Sequence, residues 1–274
     1  MKRIAMALSL ALAGIVAASP VAAAQQEVII SGSTTVLPVM QKAGEAFMAA
    51  NPDINLAISG GGSGNGIKAL NEGLCDIAMS SRDIKDSEVE QGRAKGVTPV
   101  RTSVAVDALV PVAHPENPIG ELSSDQLRDI YAGKITNWKD LGGNDENIVV
   151  VSRDTSSGTY ETWVEMIMKS EKVAASALLQ ASNGAVAQAV AKNRRAIGYI
   201  GFGYLNRSLK KLNVNGVEAT AATALSNQWP IARELYIFTN GQPSGAGKKL
   251  VDFLVDPQKG QKAVAEVGFI PLQK

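Results

Sequence analysis

The chain has one cysteine, Cys75, and one histidine, His114. A single cysteine excludes an intramolecular disulfide and a cysteine-rich metal cluster. A single histidine excludes every site built on two or more, the HExxH zinc enzymes included. Charge of either sign is also short of excess: 27 Lys+Arg face 26 Asp+Glu, a formal charge of +1. Nucleic-acid and membrane-surface binders need a concentrated basic field, and this balance does not supply one. Beyond the amino terminus there is no second long apolar run, no low-complexity tract and no short-period repeat. What is plentiful is apolar residue, at 45%, and glycine, at 26 of 274 residues. That is globular composition, enough for one large domain or two of about 125 residues each.

The amino terminus reads as an address. Lys2 and Arg3 precede an apolar run from Ile4 to Val16, and Pro20 leads into the small-residue string Val21-Ala22-Ala23-Ala24. A basic start, a short apolar core and an A-x-A site predict a cleavable secretory signal over residues 1–24. The apolar run falls short of the about 20 residues that span a bilayer. With no cysteine at the cleavage site, no lipid attachment is expected. The predicted mature protein is exported and soluble, and periplasmic.

From Glu27 onward short apolar runs alternate with helical spacing. Val28-Ile29-Ile30 reads as a strand that breaks into Ser31-Gly32-Ser33-Thr34-Thr35, and Met40, Ala43, Phe47 and Ala50 follow at helical intervals. Residues 54–58 predict a second strand entering Gly60 to Gly66, followed by a helix carrying Ile67, Leu70 and Leu74. Asp76 to Met79 predicts a third strand ending at Ser80-Ser81-Arg82. The unit restarts after the long apolar strand 103–113. Ser123-Ser124 cap a helix with Leu127, Ile130 and Tyr131. Residues 148–151 form a strand into Arg153-Asp154-Thr155-Ser156-Ser157-Gly158-Thr159. A helix then holds Tyr160, Trp163, Val164, Ile167 and Met168 on one face. A helix with Val186, Ala189 and Val190, the strands 197–200 and 232–238, and helical segments 244–254 and 257–267 complete the chain. Strand, polar loop and helix in repetition predict an α/β fold with a largely parallel sheet. The strand-to-Ser/Thr/Gly-to-helix unit recurs in both halves, and two long apolar strands bracket the middle. Two lobes are therefore expected, residues 25–106 with 233–274 and residues 107–232, joined by a two-strand hinge.

Four loops carry the chemistry: Ser33-Thr34-Thr35, Gly60 to Gly66 with Ser63, Ser80-Ser81-Arg82, and Arg153 to Thr159. In an open α/β sheet, loops at the carboxyl ends of strands line the ligand crevice. Helix starts offer free N–H groups and the positive end of the dipole, Ser and Thr add hydroxyl donors, and Gly lets backbone approach closely. Arg82 and Arg153 add fork-shaped charged donors suited to a tetrahedral oxyanion. Each loop alone is also an ordinary cap or turn. Four of them in one chain, two with arginine, point to a pocket for a small anion. Nucleotide and hydrolase motifs do not fit. Gly61 to Gly66 lacks the Lys-Ser/Thr of a Walker A loop, no GxGxxG spacing passes through these glycines, and GxSxG fails around Ser63 because Asn65 stands fifth. A serine triad would have to use His114, which sits before Pro115 and reads as a surface-turn residue. Cys75 reads as a buried small residue. No catalytic residue, metal ligand or cofactor is expected.

The sequence resembles the phosphate-binding proteins of bacterial high-affinity phosphate ABC importers, in the shorter form of that family. The likeness runs through SGSTTVLPV (31–39), SGGGSGNGIKAL (59–70), DIAMSSRDI (76–84), LRDIYAGKITNWKDLGG (127–143), RDTSSGT (153–159) and AIGYIGFGY (196–204). The resemblance implies a type II periplasmic binding fold, two α/β lobes closing on dehydrated phosphate, with delivery to an inner-membrane permease and its ATPase. It implies ligand contacts from Ser33, Thr34, Thr35 and Ser63 on the first lobe and from Arg153, Ser157, Gly158 and Thr159 on the second. Longer relatives carry at the position of Ser81 an aspartate that accepts the proton of bound phosphate. Here the acceptor must be another carboxylate or a hydroxyl lone pair. Asp107, which interrupts the apolar run 104–110, is the candidate, with a structural carboxylate bonded to backbone N–H as the alternative reading. Ser81 and Arg82 complete the expected ligand set.

The implied function is non-enzymatic capture of inorganic phosphate by a monomer. The rivals are a receptor of the same fold for sulfate, molybdate or tungstate, a secreted phosphatase or hydrolase, and an adhesive role.

Overall fold

The computed structural model describes residues 25–169 and 171–272. The expected export signal, residues 1–24, lies outside them. Three strand–helix units come first: β1 (Gln26–Gly32) with α1 (Leu37–Ala50), β2 (Ile54–Gly60) with α2 (Ser63–Asn71), and β3 (Ile77–Ser80) with α3 (Asp86–Arg93). The long strand β4 (Pro99–Ala113) leads away from them. There follow β5 (Glu121–Leu122), α4 (Ser124–Tyr131), β6 (Val149–Arg153), α5 (Gly158–Trp163), β7 (Leu178–Gln180), α6 (Asn183–Ala191), β8 (Ala196–Gly201), β9 (Lys210–Lys211), β10 (Asn213–Val214) and α7 (Ala221–Leu225). The strand β11 (Ala232–Asn240) returns, and α8 (Gly245–Val255) and α9 (Gly260–Glu266) close the sequence.

The strands form one sheet in the order β2-β1-β3-β11-β4-β8-β6-β7, with β9 added beside β4, and β5 pairs with β10 apart from it. The two ends of the sheet are parallel, β2-β1-β3 on one side and β8-β6-β7 on the other. The expectation of a parallel sheet holds at these ends, where helical crossovers link the strands. In the middle β11 and β4 run antiparallel to each other and to their outer neighbours. The chain leaves on β4 and comes back on β11, and that outward and return path reverses the direction.

Two main hydrophobic cores flank this centre. One gathers Val28, Ile30, Met40, Phe47, Ile77, Val104, Ala105, Leu235, Ile237 and Leu250. The other gathers Ala108, Leu109, Val110, Tyr131, Trp138, Trp163, Tyr199, Trp229 and Ile231. The cores change over between Ala105 and Ala108 on β4 and between Ala232 and Leu235 on β11, where Asp107 and Arg233 are register partners. The carboxyl-terminal segment adds a third connection. Ile270 bridges Val106 through two backbone hydrogen bonds and packs into the second core, while its neighbour Phe269 belongs to the first.

The helices form for readable reasons. α1 has a proline in its first turn and buries Val39, Met40, Ala43 and Phe47 on one face. α4 is capped by Ser123, within the Ser123-Ser124 pair that the sequence predicts, and Gln126 returns the bond to complete a reciprocal cap. Two expectations change. α2 ends at Asn71, so Leu74 lies outside it and is exposed. The helical run after Gly158 widens to π geometry at Val164–Met168. Trp163, Ile167 and Met168 are buried together there, and Trp163 stacks on Tyr199 at 4.4 Å between ring centroids. α3 carries no apolar stripe to announce it, burying only Gly92. Among the described residues no helix is long and apolar enough to cross a membrane.

Candidate anion site

All four loops singled out in the sequence emerge at the carboxyl ends of β1, β2, β3 and β6. They meet at the junction of the two cores. Thr35 Oγ1 lies 2.8 Å from Thr159 Oγ1, and Ser81 Oγ lies 3.3 Å from Ser63 Oγ and 3.5 Å from Thr159 Oγ1. These hydroxyls come from residues up to 124 apart in sequence, and all are buried. The starts of α1, α2 and α5 converge here. Ser33 Oγ accepts from the N–H groups of Thr35 and Val36, and Ser157 Oγ accepts from Tyr160 N–H. Ser157 therefore acts as the cap of α5 in addition to lying in the expected ligand loop.

Gly158 shows why a glycine stands at the crossing. A Cβ there would lie 2.4 Å from Ser63 Oγ and 2.8 Å from Ser81 Oγ. Gly62, at φ +100°, is similarly pressed against Ser156, and Gly64 N–H donates to Ser156 O at 3.0 Å. Backbone thus meets backbone across the two cores.

Arg153 ends β6 inside the protein, 1% exposed. Nε donates to Gln180 O and Nη2 to Ala181 O, which fix the guanidinium. Nη1 is buried with no partner. Its nearest carboxylate, Asp154, stays 3.9 Å from Nη2. Burial weakens the guanidinium's hold on its proton, and the like charge of Arg233 adds to that against the pull of Asp154. A buried arginine keeps its charge and seeks an anion.

Asp107 is fully buried and faces β11. Oδ2 accepts from Arg233 Nε at 3.0 Å and Nη2 at 2.8 Å, and Oδ1 accepts from Phe202 N–H at 2.8 Å. Burial lifts the Asp107 carboxyl above its ordinary range against the opposing pull of Arg233 and Phe202 N–H. Three N–H donors, one from the backbone and two from Arg233, engage its two oxygens and leave one lone pair on Oδ1. Arg82 also departs from expectation. Its guanidinium donates from Nη1 and Nη2 to the two carboxylate oxygens of Glu88, and Nε lies 2.9 Å from Glu161 Oε2 without hydrogen-bond alignment. With both acids beside it, Arg82 is not a free cation for the hydroxyl group, and it ties the rim of the junction instead.

Two side chains escaped the sequence reading. Arg233 reaches past Asp107 to donate to Thr159 Oγ1 at 3.0 Å and Thr162 Oγ1 at 3.2 Å. Asn183, fully buried at the start of α6, donates from Nδ2 to Thr34 Oγ1 and Thr35 Oγ1 and accepts from Gly201 N–H. A signal existed for each: an arginine in the apolar strand 232–238, and Ser182-Asn183-Gly184 opening one more helix. A separate cavity of about 420 Å³ lies at the opposite end of β1 and β3, near Glu27, Asp76 and Ser244. None of its side chains is a buried polar group lacking a partner.

The chain matches a family model described as the PBP superfamily domain over residues 17–258. It is 33% identical to the phosphate-binding protein PstS of Bacillus subtilis over 244 residues, 89% of this chain and 80% of that protein. The PstS of Borreliella burgdorferi is 32% identical over 90% of both chains. Among solved structures, a Clostridium perfringens protein with bound phosphate is 37% identical with a TM-score of 0.85, covering 90% of this chain and 100% of that one. An ABC-type phosphate transport receptor from Vibrio cholerae is 32% identical with a TM-score of 0.73, covering 89% and 100%. These likenesses extend over the whole α/β architecture, and the molecule has the fold of a type II periplasmic binding protein.

Proposed function

Because the chain belongs to the PBP superfamily, we propose that it captures inorganic phosphate and hands it to an ABC-type importer. One observation carries this: buried hydroxyls of Thr35, Ser63, Ser81 and Thr159, brought together from four loops, with the buried and unpartnered Arg153 Nη1 on the residue that opens the Thr159 loop. Such a set offers charge and donors without metal or general base, and a tetrahedral anion uses all of it. The printed functions of the B. subtilis and V. cholerae relatives agree.

In this function Ser33, Thr34, Thr35, Ser63 and Ser81 supply donors from one side of the junction. Arg153, Ser157, Gly158 and Thr159 supply them from the other. Asn183 and Arg233 orient the hydroxyls. The two cores act as lobes, residues 25–106 with 233–274 and 107–232, that hinge at β4 and β11. An anion touching both sides binds the closed form better than the open one, and that difference drives closure. The protein works outside the inner membrane as a carrier, with a permease and its ATPase as partners, and performs no chemistry on its ligand.

Calorimetry of the chain lacking residues 1–24, against phosphate, sulfate and molybdate, tests this. Tight phosphate binding with weaker sulfate and molybdate is expected, as is no release of phosphate from an aryl phosphate ester. Tighter binding of sulfate or molybdate would overturn the assignment in favour of another oxyanion.

A further inference from the structure

Among the described residues, Arg233 is the arginine that hydrogen-bonds to a hydroxyl of the anion site. It stands on β11 where that strand passes between the two cores, and its side chain is 6% exposed. Its contacts run in two directions. Toward β4, Nε and Nη2 donate to Asp107 Oδ2 at 3.0 and 2.8 Å. Toward α5, Nη2 donates to Thr159 Oγ1 at 3.0 Å and Nη1 to Thr162 Oγ1 at 3.2 Å. Thr162 Oγ1 in turn donates to Gly158 O at 3.0 Å. One planar group thus fastens the crossing strands to the helix that opens with Gly158 and Thr159. Both protons of Nη2 are used, one on Asp107 and one on Thr159, so the hold on one fixes the aim at the other.

The consequence falls on Thr159. A hydroxyl has one proton and two lone pairs. Arg233 takes one lone pair, and the rest of Oγ1 faces Thr35 Oγ1 at 2.8 Å and Ser81 Oγ at 3.5 Å. An anion entering between these hydroxyls brings lone pairs of its own, so it replaces hydroxyl-to-hydroxyl contacts and takes the Thr159 proton. A hydroxyl held from behind by a cation is polarised, and successive bonds of such a chain strengthen one another. The charge of Arg233 then reaches the anion through Thr159. Asp107 supplies the countercharge that lets Arg233 stay out of water before an anion arrives.

Building on the phosphate function above, we propose that Arg233 is a positioning residue of the anion site that acts through Thr159. Asp107, Arg233, Thr159 and the anion form one hydrogen-bonded line from the crossing strands to the ligand. Phosphate affinity is therefore set in part by a pair of residues on the strands that join the lobes. The rival role is a purely structural one, in which Arg233 serves only as the partner of Asp107. A structural Arg233 is indifferent to the hydroxyl of Thr159, whereas the line to the anion ends when that hydroxyl is removed.

Calorimetry against phosphate separates the two roles in four proteins: wild type, Thr159→Val, Asp107→Asn/Arg233→Gln, and the combination of all three changes. Changing Asp107 and Arg233 together leaves no unpaired buried charge, so the loss measured is not that of a stranded aspartate. Thr159→Val and the paired change are each expected to weaken phosphate at least about tenfold. The combination is expected to bind within about threefold of Thr159→Val alone, because the paired change has nothing left to act through. Losses that multiply across the cycle overturn the proposal, and so does native affinity in the paired variant. If the paired variant does not fold, Arg233→Lys makes the same test, since an ammonium keeps the charge beside Asp107 without the fork that reaches Thr159. A Lys variant with native affinity, or with a loss that persists in the Thr159→Val background, overturns the proposal. Native affinity in Thr159→Val does so by itself, whatever the Arg233 variants show. A wild-type protein that binds no phosphate overturns the function instead, while tight wild-type binding with multiplying losses overturns only the role of Arg233.

Discussion

Arg153 illustrates how much one side chain can be asked to do when it is buried. Two of its nitrogens are spent on the carbonyls of Gln180 and Ala181, which hold the guanidinium still, and the third waits for a partner. Removing it strips a desolvated anion of a buried full charge. We expect Arg153→Ala to lose about 2–5 kcal/mol of phosphate binding, more than about thirtyfold in Kd by calorimetry. Near-native affinity in a folded variant would detach the anion from this residue. Gly158 makes the complementary test through volume. Its missing Cβ is what lets Ser63 and Ser81 approach α5. Gly158→Ala is expected to hold the junction apart and weaken phosphate at least about tenfold, while leaving the melting temperature of the ligand-free protein within a few degrees. A large drop in melting temperature with affinity kept would show that the contact belongs to packing and not to closure.

At the scale of elements, α3 owes its existence to charge. It buries almost nothing apolar, and its first turn is held by Glu88, which accepts from Lys85 N–H and from both terminal nitrogens of Arg82. Burial alone would raise the Glu88 carboxyl, but the Arg82 and Lys85 hydrogen bonds and charges hold it below the ordinary glutamate range. A depressed carboxylate contributes stability that is fully present above its unfolded pKa, about 4.3, and is lost as pH falls through the folded value. Thermal melts over about pH 3 to 7 are therefore expected to show Glu88→Gln less stable than wild type at neutral pH, with the gap closing in acid. A gap that stays constant over that range would remove the ion pair from the account. The crossing strands are built on the opposite principle. From Val104 to Ala113 β4 has one charged residue, Asp107, which meets Arg233 of β11, and that buried pair joins the strands at the point where the cores change. Breaking one side of such a pair costs about 3–5 kcal/mol, far more than the intact pair adds.

For the whole molecule the decisive contacts are those that join the two cores. Gly64 N–H to Ser156 O is one, the Thr35–Thr159 hydroxyl pair another, and Arg82 and Lys85 with Glu161 a third. The ion pairs sit at the rim, with Arg82 9% and Glu161 17% exposed, so salt screens them only in part. Glu161→Gln is expected to weaken phosphate several-fold, about 1 kcal/mol, and to reduce the compaction that X-ray scattering records when phosphate is added. Unchanged compaction and affinity would leave closure to the ligand alone. The carboxyl-terminal bridge from Ile270 to Val106 lies beside the point where the cores change over, so the proposed hinge would have to carry three segments and not two.

The α/β class, the recurring strand–loop–helix unit and the Ser/Thr/Gly/Arg loops were all set by local sequence, because turn chemistry and apolar spacing act over a few residues. So was the meeting of the Thr35, Ser63, Ser81 and Thr159 loops, once four similar loops were counted in one chain. The antiparallel centre of the sheet was not legible, since strand direction depends on the path of the entire chain. α3 was missed because a polar helix held by an ion pair leaves no hydrophobic period. Arg82 and Asp107 looked alike in sequence, charged residues beside apolar strands, yet their partners Glu88, Glu161 and Arg233 lie 6, 79 and 126 positions away. Asn183 and Arg233 belong to the same class. Which atom donates and which accepts is fixed only when distant segments are packed together, so the tertiary structure alone decided the polarity of the site.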